Sequence, residues 1–327
     1  MEFLQKEETL IKDSLETDPS RGCPPDQRKI KDYLSKGVVN IDKPAGPTSH
    51  QVTSWVKEII GLEKSGHSGT LDPKVTGVLP IALDDATKIV KTLLLAGKTY
   101  VGVMQLHSDV TENKVKSAMS QLQGTIIQRP PLISAVKRQL RIKTIYDLQL
   151  MEKNDKTILF SAKCQAGVYI RKLCHDIGYL SGARGQMTEL RRTKVGLFTE
   201  ENLIKLHDLV DAYKDFQETG EEKELRKIIY PMEYAVGHLP KIWIKDSAID
   251  AVCHGADLSM PGVSKLSPNI DKGDEAAIFS LKDELVAIAT CEKTSKVIMD
   301  SKTGVAATLK RVTMEPDTYP RKWKKKT

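Results

Sequence analysis

Residues 66–80 read Gly66-His67-Ser68-Gly69-Thr70-Leu71-Asp72-Pro73-Lys74-Val75-Thr76-Gly77-Val78-Leu79-Pro80. Glycines and prolines punctuate the stretch at short intervals, which marks a loop, and one carboxylate stands in its middle. Pro73 biases Asp72 away from helical backbone. Two readings of Asp72 stay open at this point. It is a turn aspartate capping its own backbone, as Asp-Pro turns commonly are, or it is a group placed for chemistry.

Working outward, Val38-Val39-Asn40-Ile41 is a strand-like start that runs into the turn Lys43-Pro44-Ala45-Gly46-Pro47. Val52, Trp55, Val56, Ile59 and Ile60 then follow a helical period. Thr48 with Gln51 makes a capping-box pattern, and Gly61 supplies the stop. Downstream, a second helix is expected from Asp85, with Ile89, Val90, Leu93 and Leu94 on one face and an end at Gly97. Strand-like alternation follows at 99–106 and 158–164, and a helix over 169–180 buries Ile170, Leu173, Cys174 and Ile177. From Leu203 to Val236 the pattern is mostly helical and charged. Beyond Leu239-Pro240 short strands (241–244, 275–280, 285–290, 306–312) alternate with Gly, Pro and Asp turns, the texture of a small all-β domain. Strands and helices mix without regular βαβ spacing, so the fold class is α+β. The domains expected are an N-terminal extension over 1–36, an α+β domain over 37–238, an all-β domain over 239–316 and a basic tail over 317–327.

The chain has 327 residues with 50 Lys+Arg against 43 Asp+Glu, a net charge of +7, and 40% apolar residues. That length suggests about two domains and a real core. The longest apolar run, near Leu93-Leu94-Leu95-Ala96, is far short of the ~20 residues that span a bilayer. The N-terminus has no basic region or apolar core of a secretory signal. The five cysteines include no C-x-x-C pair, and no H-E-x-x-H occurs, so neither a disulfide framework nor a metal site is expected. Charge is unevenly placed: residues 1–20 carry a net −4, leaving +11 on the rest. Between Asn113 and Tyr146 stand seven basic residues and no acid, among them Lys137, Arg138 and Arg141. Such a stretch fits a polyanion partner, since each neutralised phosphate releases counterions.

Other motifs fail on chemistry. Residues 61–68 nearly match a phosphate-binding loop, but His67 stands where its Lys must be, and a helix precedes it. Gly97-Lys98-Thr99 matches only the tail of such a loop. His175-Asp176 are successive helix positions that point to different faces and make no dyad. With no metal set, cofactor loop or reactive Ser or Cys setting, a carboxylate near an arginine remains the plausible nucleophile.

The 66–80 segment resembles the signature of the TruB-type pseudouridine synthases. Lys43-Pro44-x-Gly46-x-Thr48-Ser49 resembles their first motif and Tyr169-Ile170-Arg171 their arginine motif. Ile127-Gln128-Arg129-Pro130-Pro131, Ser134-Ala135-Val136-Lys137-Arg138, Glu189-Leu190-Arg191-Arg192-Thr193 and the run from Leu239 to Ala248 are similar to the archaeal dyskerin-like subgroup, and the likeness runs from about Cys23 to Trp323. The last ~75 residues resemble a PUA domain, a small RNA-binding β-barrel. Val168 departs from a Thr common in relatives, and the 181–186 segment adds an arginine.

The resemblance implies roles. Asp72 is the catalytic aspartate. Tyr100 stacks on the target base and helps deprotonate C5, and Arg171 pairs with Asp72 and keeps it ionised. His67 lies near the flipped nucleotide, Lys43 supports the catalytic loop, and Leu190 lines the pocket. Lys137, Arg138, Arg141, Arg191 and Arg192 contact RNA. No cofactor and no metal are needed, because breaking and re-forming a glycosidic bond within one nucleotide requires an oriented carboxylate rather than redox chemistry. The target uridine must leave its stack and enter an apolar pocket.

The implied activity is uridine-to-pseudouridine isomerisation in tRNA and rRNA, within an H/ACA ribonucleoprotein. A guide RNA would select the uridine there, and small accessory proteins would complete the particle, with no membrane involved. The alternatives are a stand-alone synthase for the T-loop uridine of tRNA and a non-catalytic RNA scaffold. The short basic tail favours an archaeal, cytoplasmic setting over a nucleolar, eukaryotic one.

Overall fold

A computed structural model describes residues 8–13, 15–130 and 139–320. Its described strands gather into two sheets. The larger has ten strands, eight of them in the order Ile229–Pro231, Gly37–Lys43, Thr76–Leu83, Gly185–Val195, Lys98–Leu106, Thr157–Cys164, Arg141–Asn154 and Gly124–Gln128. Neighbours run antiparallel except at one place, where Thr76 and Gly77 pair in parallel with Arg191 and Arg192. That parallel contact lies at the foot of the 66–80 segment and decides where its loop emerges.

The helix over Ser49–Ile60 forms as its local signals require. Thr48 Oγ1 accepts from Gln51 N at 3.1 Å while Gln51 Oε1 accepts from Thr48 N at 2.8 Å. Gly61 closes the helix at φ 72°, a left-handed conformation that costs a glycine little. Val52, Val56 and Ile60 are buried against Ile41, Leu79 and Ile81 of the sheet. Each such side chain contributes about 1.5–3 kcal/mol of burial free energy. The helix over Ile170–Ser181 buries Ile170, Leu173, Cys174 and Ile177 on the same principle and carries Arg171 in its first turn.

The second sheet has seven strands, and its core includes Ile242, Ile244, Val263, Leu266, Ile278 and Val286. Leu10–Ile11 adds to its edge by pairing with Leu266 and Lys265. Farther along the same N-terminal segment, Asp18 N donates to Asp246 Oδ2 at 2.8 Å and Cys23 N to Glu284 Oε1 at 3.0 Å. The segment is therefore laid along the second sheet, and Ile30–Ser35 is helical. Where the two sheets' layers meet, Trp243, Phe279, Leu285 and Ile288 pack with Val38, Phe198, Met232 and Val236 in one apolar cluster.

Three details differ from the sequence expectations. The segment after Asp84 opens as a 3-10 helix over Asp84–Ile89 and becomes an α-helix only over Val90–Leu95. The tighter turn shifts the phase of the apolar face, so Ile89 and Leu93 are fully buried while Leu94 is 41% exposed. The charged stretch after Leu203 is interrupted by the strand Ile229–Pro231, which pairs with Gly37–Val39 at the sheet edge. His175 Nδ1 and Asp176 Oδ1 approach to 3.4 Å, although they are helix neighbours, because Lys172 draws the carboxylate over.

Candidate active site

Asp72 sits on the loop between the strands Ser65–His67 and Thr76–Leu83, and its side chain is 56% exposed. The loop is tied down from several sides. Lys43 is fully buried, and its Nζ donates to the carbonyls of Pro44, Pro73 and Val75 at 2.9, 3.0 and 2.9 Å. Leu71 N donates to Ser49 Oγ at 2.8 Å, and Gly46 N donates to Pro73 O at 2.9 Å. Residues 43–49 thus form a cradle of donors and acceptors under the loop. Burial pushes the Lys43 ammonium below its ordinary range, and the Asp72 carboxylate pulls it back up.

Arg171 reaches the loop from the Ile170–Ser181 helix and forms an ion pair with Asp72 through Nη2 and Oδ2. Tyr100, on the Lys98–Leu106 strand, is 8% exposed and packs in one cluster with Leu71, Val75, Val168 and Ile170. Burial raises the Tyr100 phenol, and the Arg192 charge acts against that rise. Leu190 joins the same cluster from the strand beside it, opposite Gly102. The loop of Asp72 and the helix of Arg171 thus meet in an ion pair, and their neighbours Leu71 and Ile170 share a cluster with Tyr100 and Leu190.

His67 stands at the near end of the loop. Its Nδ1 accepts from Gly69 N at 3.2 Å, and its ring meets that of His50 edge-on at 4.8 Å. Burial, then the His50 and Arg192 charges, push its pKa down to about 4. It is neutral at physiological pH, with the second ring nitrogen carrying the proton.

The basic residues expected to contact RNA divide. Lys137 and Arg138 lie outside the described residues. Arg141 is half-buried and pairs with Gln128 at the start of its strand. Arg191 is engaged by two carboxylates, Asp42 through a two-pronged contact at 2.9 and 3.2 Å and Glu200 through Nε. Arg192, expected to contact RNA, is buried in the sheet. Its side chain is 1% exposed, with Nε donating to Val78 O at 2.8 Å and Nη2 to Gly69 O at 3.2 Å. It lies on the Gly185–Val195 strand between Thr76–Leu83 and Lys98–Leu106, and its guanidinium is closed off from solvent.

Sequence reasoning missed three residues that hold the framework around the loop. Ser49 stands in the first motif with no role assigned by its pattern. Gly77 sits at φ 99°, and a Cβ there would fall 2.2 Å from Arg192 O, so the close parallel strand contact requires glycine. Lys98, which the sequence places only in the tail of an incomplete phosphate-loop match, is buried and donates to the carbonyls of Leu93, Leu94 and Ala96 at 3.3, 3.1 and 2.9 Å. Burial, and then Arg192, lower its pKa to about 7. Among the described residues, no three His, Cys, Asp or Glu side chains are grouped to hold a metal ion. No described helix is long and apolar enough to cross a membrane.

Comparison with known proteins covers the chain almost end to end. Residues 57–170 match the TruB family pseudouridylate synthase N-terminal domain, and 171–237 match the tRNA pseudouridylate synthase B C-terminal domain. Residues 1–53 match the DKCLD (NUC011) domain and 240–313 the PUA domain. The chain is 53% identical over 325 residues to a protein of Methanopyrus kandleri named "Probable tRNA pseudouridine synthase B", covering 99% of this chain and 96% of the relative. It is 52% identical over 323 residues to one of the same name from Pyrococcus furiosus, covering 98% and 95%. In the crystal structure of a Cbf5-Nop10-Gar1 complex, a chain 52% identical superposes with a TM-score of 0.92 over 97% of each. In an H/ACA RNP bound to a substrate RNA containing 2'-deoxyuridine, a chain 50% identical superposes at 0.90, covering 97% of this chain and 98% of that one.

Proposed function

Because the chain belongs to the TruB family of pseudouridine synthases, it is an RNA uridine isomerase, and we propose that it works as the catalytic subunit of a guide-RNA-directed H/ACA particle. The likeness over nearly the full length of both chains to the proteins of two such assemblies supports this reading. The partners it brings are a guide RNA, the RNA substrate and small proteins of the Nop10 and Gar1 kind. The relatives are archaeal organisms' proteins, which favours the cytoplasm.

The observation that carries the chemistry is the ion pair of Asp72 and Arg171, whose chain neighbours Leu71 and Ile170 pack in one cluster with Tyr100. In this reading a uridine leaves its stack and enters between Tyr100 and Leu190. Asp72, oriented by Arg171 and exposed where Lys43 and Ser49 hold the loop, attacks C1′ of the sugar, and the N1–C1′ bond breaks with its electron pair leaving on the base. The base turns and its C5 attacks C1′, which breaks the Asp72–C1′ bond and frees the carboxylate. The C5 proton then passes to Tyr100, and N1 takes a proton from water. Neutral His67 offers a hydrogen-bond donor beside the flipped nucleotide. The 239–316 domain, which the N-terminal segment flanks, would grip the guide RNA, and the Lys137–Arg138 stretch would meet the RNA backbone.

A second reading, a stand-alone tRNA synthase, is favoured by the tRNA in the relatives' names. Incubating the pure chain with a tRNA transcript, with and without guide RNA and accessory proteins, separates the two. Guide-dependent modification supports the particle. Full activity on tRNA from the chain alone overturns the guided reading for that substrate.

A further inference from the structure

The buried Arg192 ties together the elements of the site. Arg192 is the cross-strand partner of Tyr100 on one side and of Gly77 on the other. Its guanidinium donates to Val78 O, just after the loop, and to Gly69 O, just before Asp72's turn. One side chain therefore spans the loop's entry, its exit and the strand of the pocket tyrosine. Those hydrogen bonds go to backbone carbonyls rather than to a carboxylate, so the positive charge is not cancelled by a formal negative partner. A neutral side chain would fill the same volume without the cost of desolvating a charge.

We propose that Arg192 is a positioning residue of the synthase: it fastens the Asp72 loop to the strand of Tyr100 and supplies the positive charge that the Tyr100 oxygen meets. The groups acting on Tyr100 are Arg192 from the Gly185–Val195 strand and the Cys164 thiol from the Thr157–Cys164 strand. Burial and Cys164 disfavour the phenolate, whereas Arg192 favours it. Arg192 also acts on His67, Lys43 and Lys98, lowering each. The inference rests on the reading that Tyr100 receives the C5 proton. In that step the C5–H bond breaks and its electron pair restores the ring double bond. The proton ends on the phenol oxygen of the small ionised fraction that Arg192 favours against burial, and leaves later to water. Without Arg192, less of Tyr100 is ionised at neutral pH and the step slows.

The test uses the full chain assembled with its guide RNA and accessory proteins. RNA affinity and the single-turnover rate are measured from pH 6 to 9 for wild type, Arg192→Met and Arg192→Lys. Arg192→Met should bind RNA within threefold of wild type, lose at least tenfold in rate at pH 7, and show its rate climbing at higher pH. Arg192→Lys keeps the charge but not the two-carbonyl span. It should lose about tenfold in rate, with the profile at its wild-type position. An unmoved profile in Arg192→Met, or a wild-type rate in Arg192→Lys, overturns the proposal. If the Met variant does not fold, the Lys variant decides alone. A wild-type rate in Tyr100→Phe would instead sink the reading that Tyr100 takes the proton, which keeps the two failures apart.

Discussion

Arg171 and Asp72 stand 99 residues apart in the chain and form an ion pair at the loop that follows the Ser65–His67 strand, with side chains 53% and 56% exposed. An ion pair this open to water contributes only about 0–1 kcal/mol to stability. What it does is hold the carboxylate in one orientation. Arg171→Ala should therefore leave the unfolding free energy within about 1 kcal/mol of wild type. It should lower the single-turnover rate by about a hundredfold or more, the scale seen when one preorganised electrostatic contact is removed. Urea denaturation beside a single-turnover assay checks both halves. A large stability loss would mean the pair is structural.

The reverse balance is expected at the joint between the two sheets. Arg28 and Glu233 pair at 2.6 Å with side chains 7% and 1% exposed, and Leu285 N donates to the same carboxylate at 2.9 Å. Three parts of the chain meet there: the N-terminal segment, the catalytic domain and the second sheet. Removing one partner leaves a buried charge uncompensated, so Glu233→Ala should cost about 3–5 kcal/mol. A loss below about 1 kcal/mol in denaturant unfolding would contradict this.

These two pairs show why some of the molecule is legible in its sequence and some is not. The helix over Ser49–Ile60 is legible because its period, capping box and terminal glycine are all local. The Leu94 face departs from expectation because an α period does not carry through a 3-10 turn. Arg192 and Lys98 look like surface residues in their charged strings, and only long-range pairing buries them. The parallel contact of Gly77 with Arg192 joins segments more than a hundred residues apart, and no local pattern announces it. Asp72 and Arg171 are marked by family motifs. Their meeting is a product of the fold that periodicity alone does not reveal.

His67 gives a pH test. Its pKa in the folded chain, about 4, lies below the ordinary 6.5, chiefly because it is buried. The unfolded chain thus binds a proton more readily than the folded one. Its neutral form supports the fold fully above about pH 6.5. That support is lost as pH falls from 6.5 toward 4 and levels off below. In urea midpoints from pH 7 to 4, the gap between wild type and His67→Gln should narrow or invert with acid. A gap that stays constant would show that His67 does not titrate in this way.

Replacing Lys137 and Arg138 with neutral residues should weaken RNA binding similarly across sequences. The slope of log affinity against log salt should become shallower by about one for each phosphate that is no longer neutralised. Equilibrium binding over a series of salt concentrations measures it. An unchanged slope would make the stretch ordinary surface.

The central claim is that Asp72 is the reacting carboxylate on a loop otherwise built for support. Asp72→Asn, assembled with guide RNA and accessory proteins, is assayed for pseudouridine in the target RNA alongside RNA affinity. No pseudouridine formation with near wild-type affinity is the predicted result. Pseudouridine formed at the wild-type rate would contradict the account.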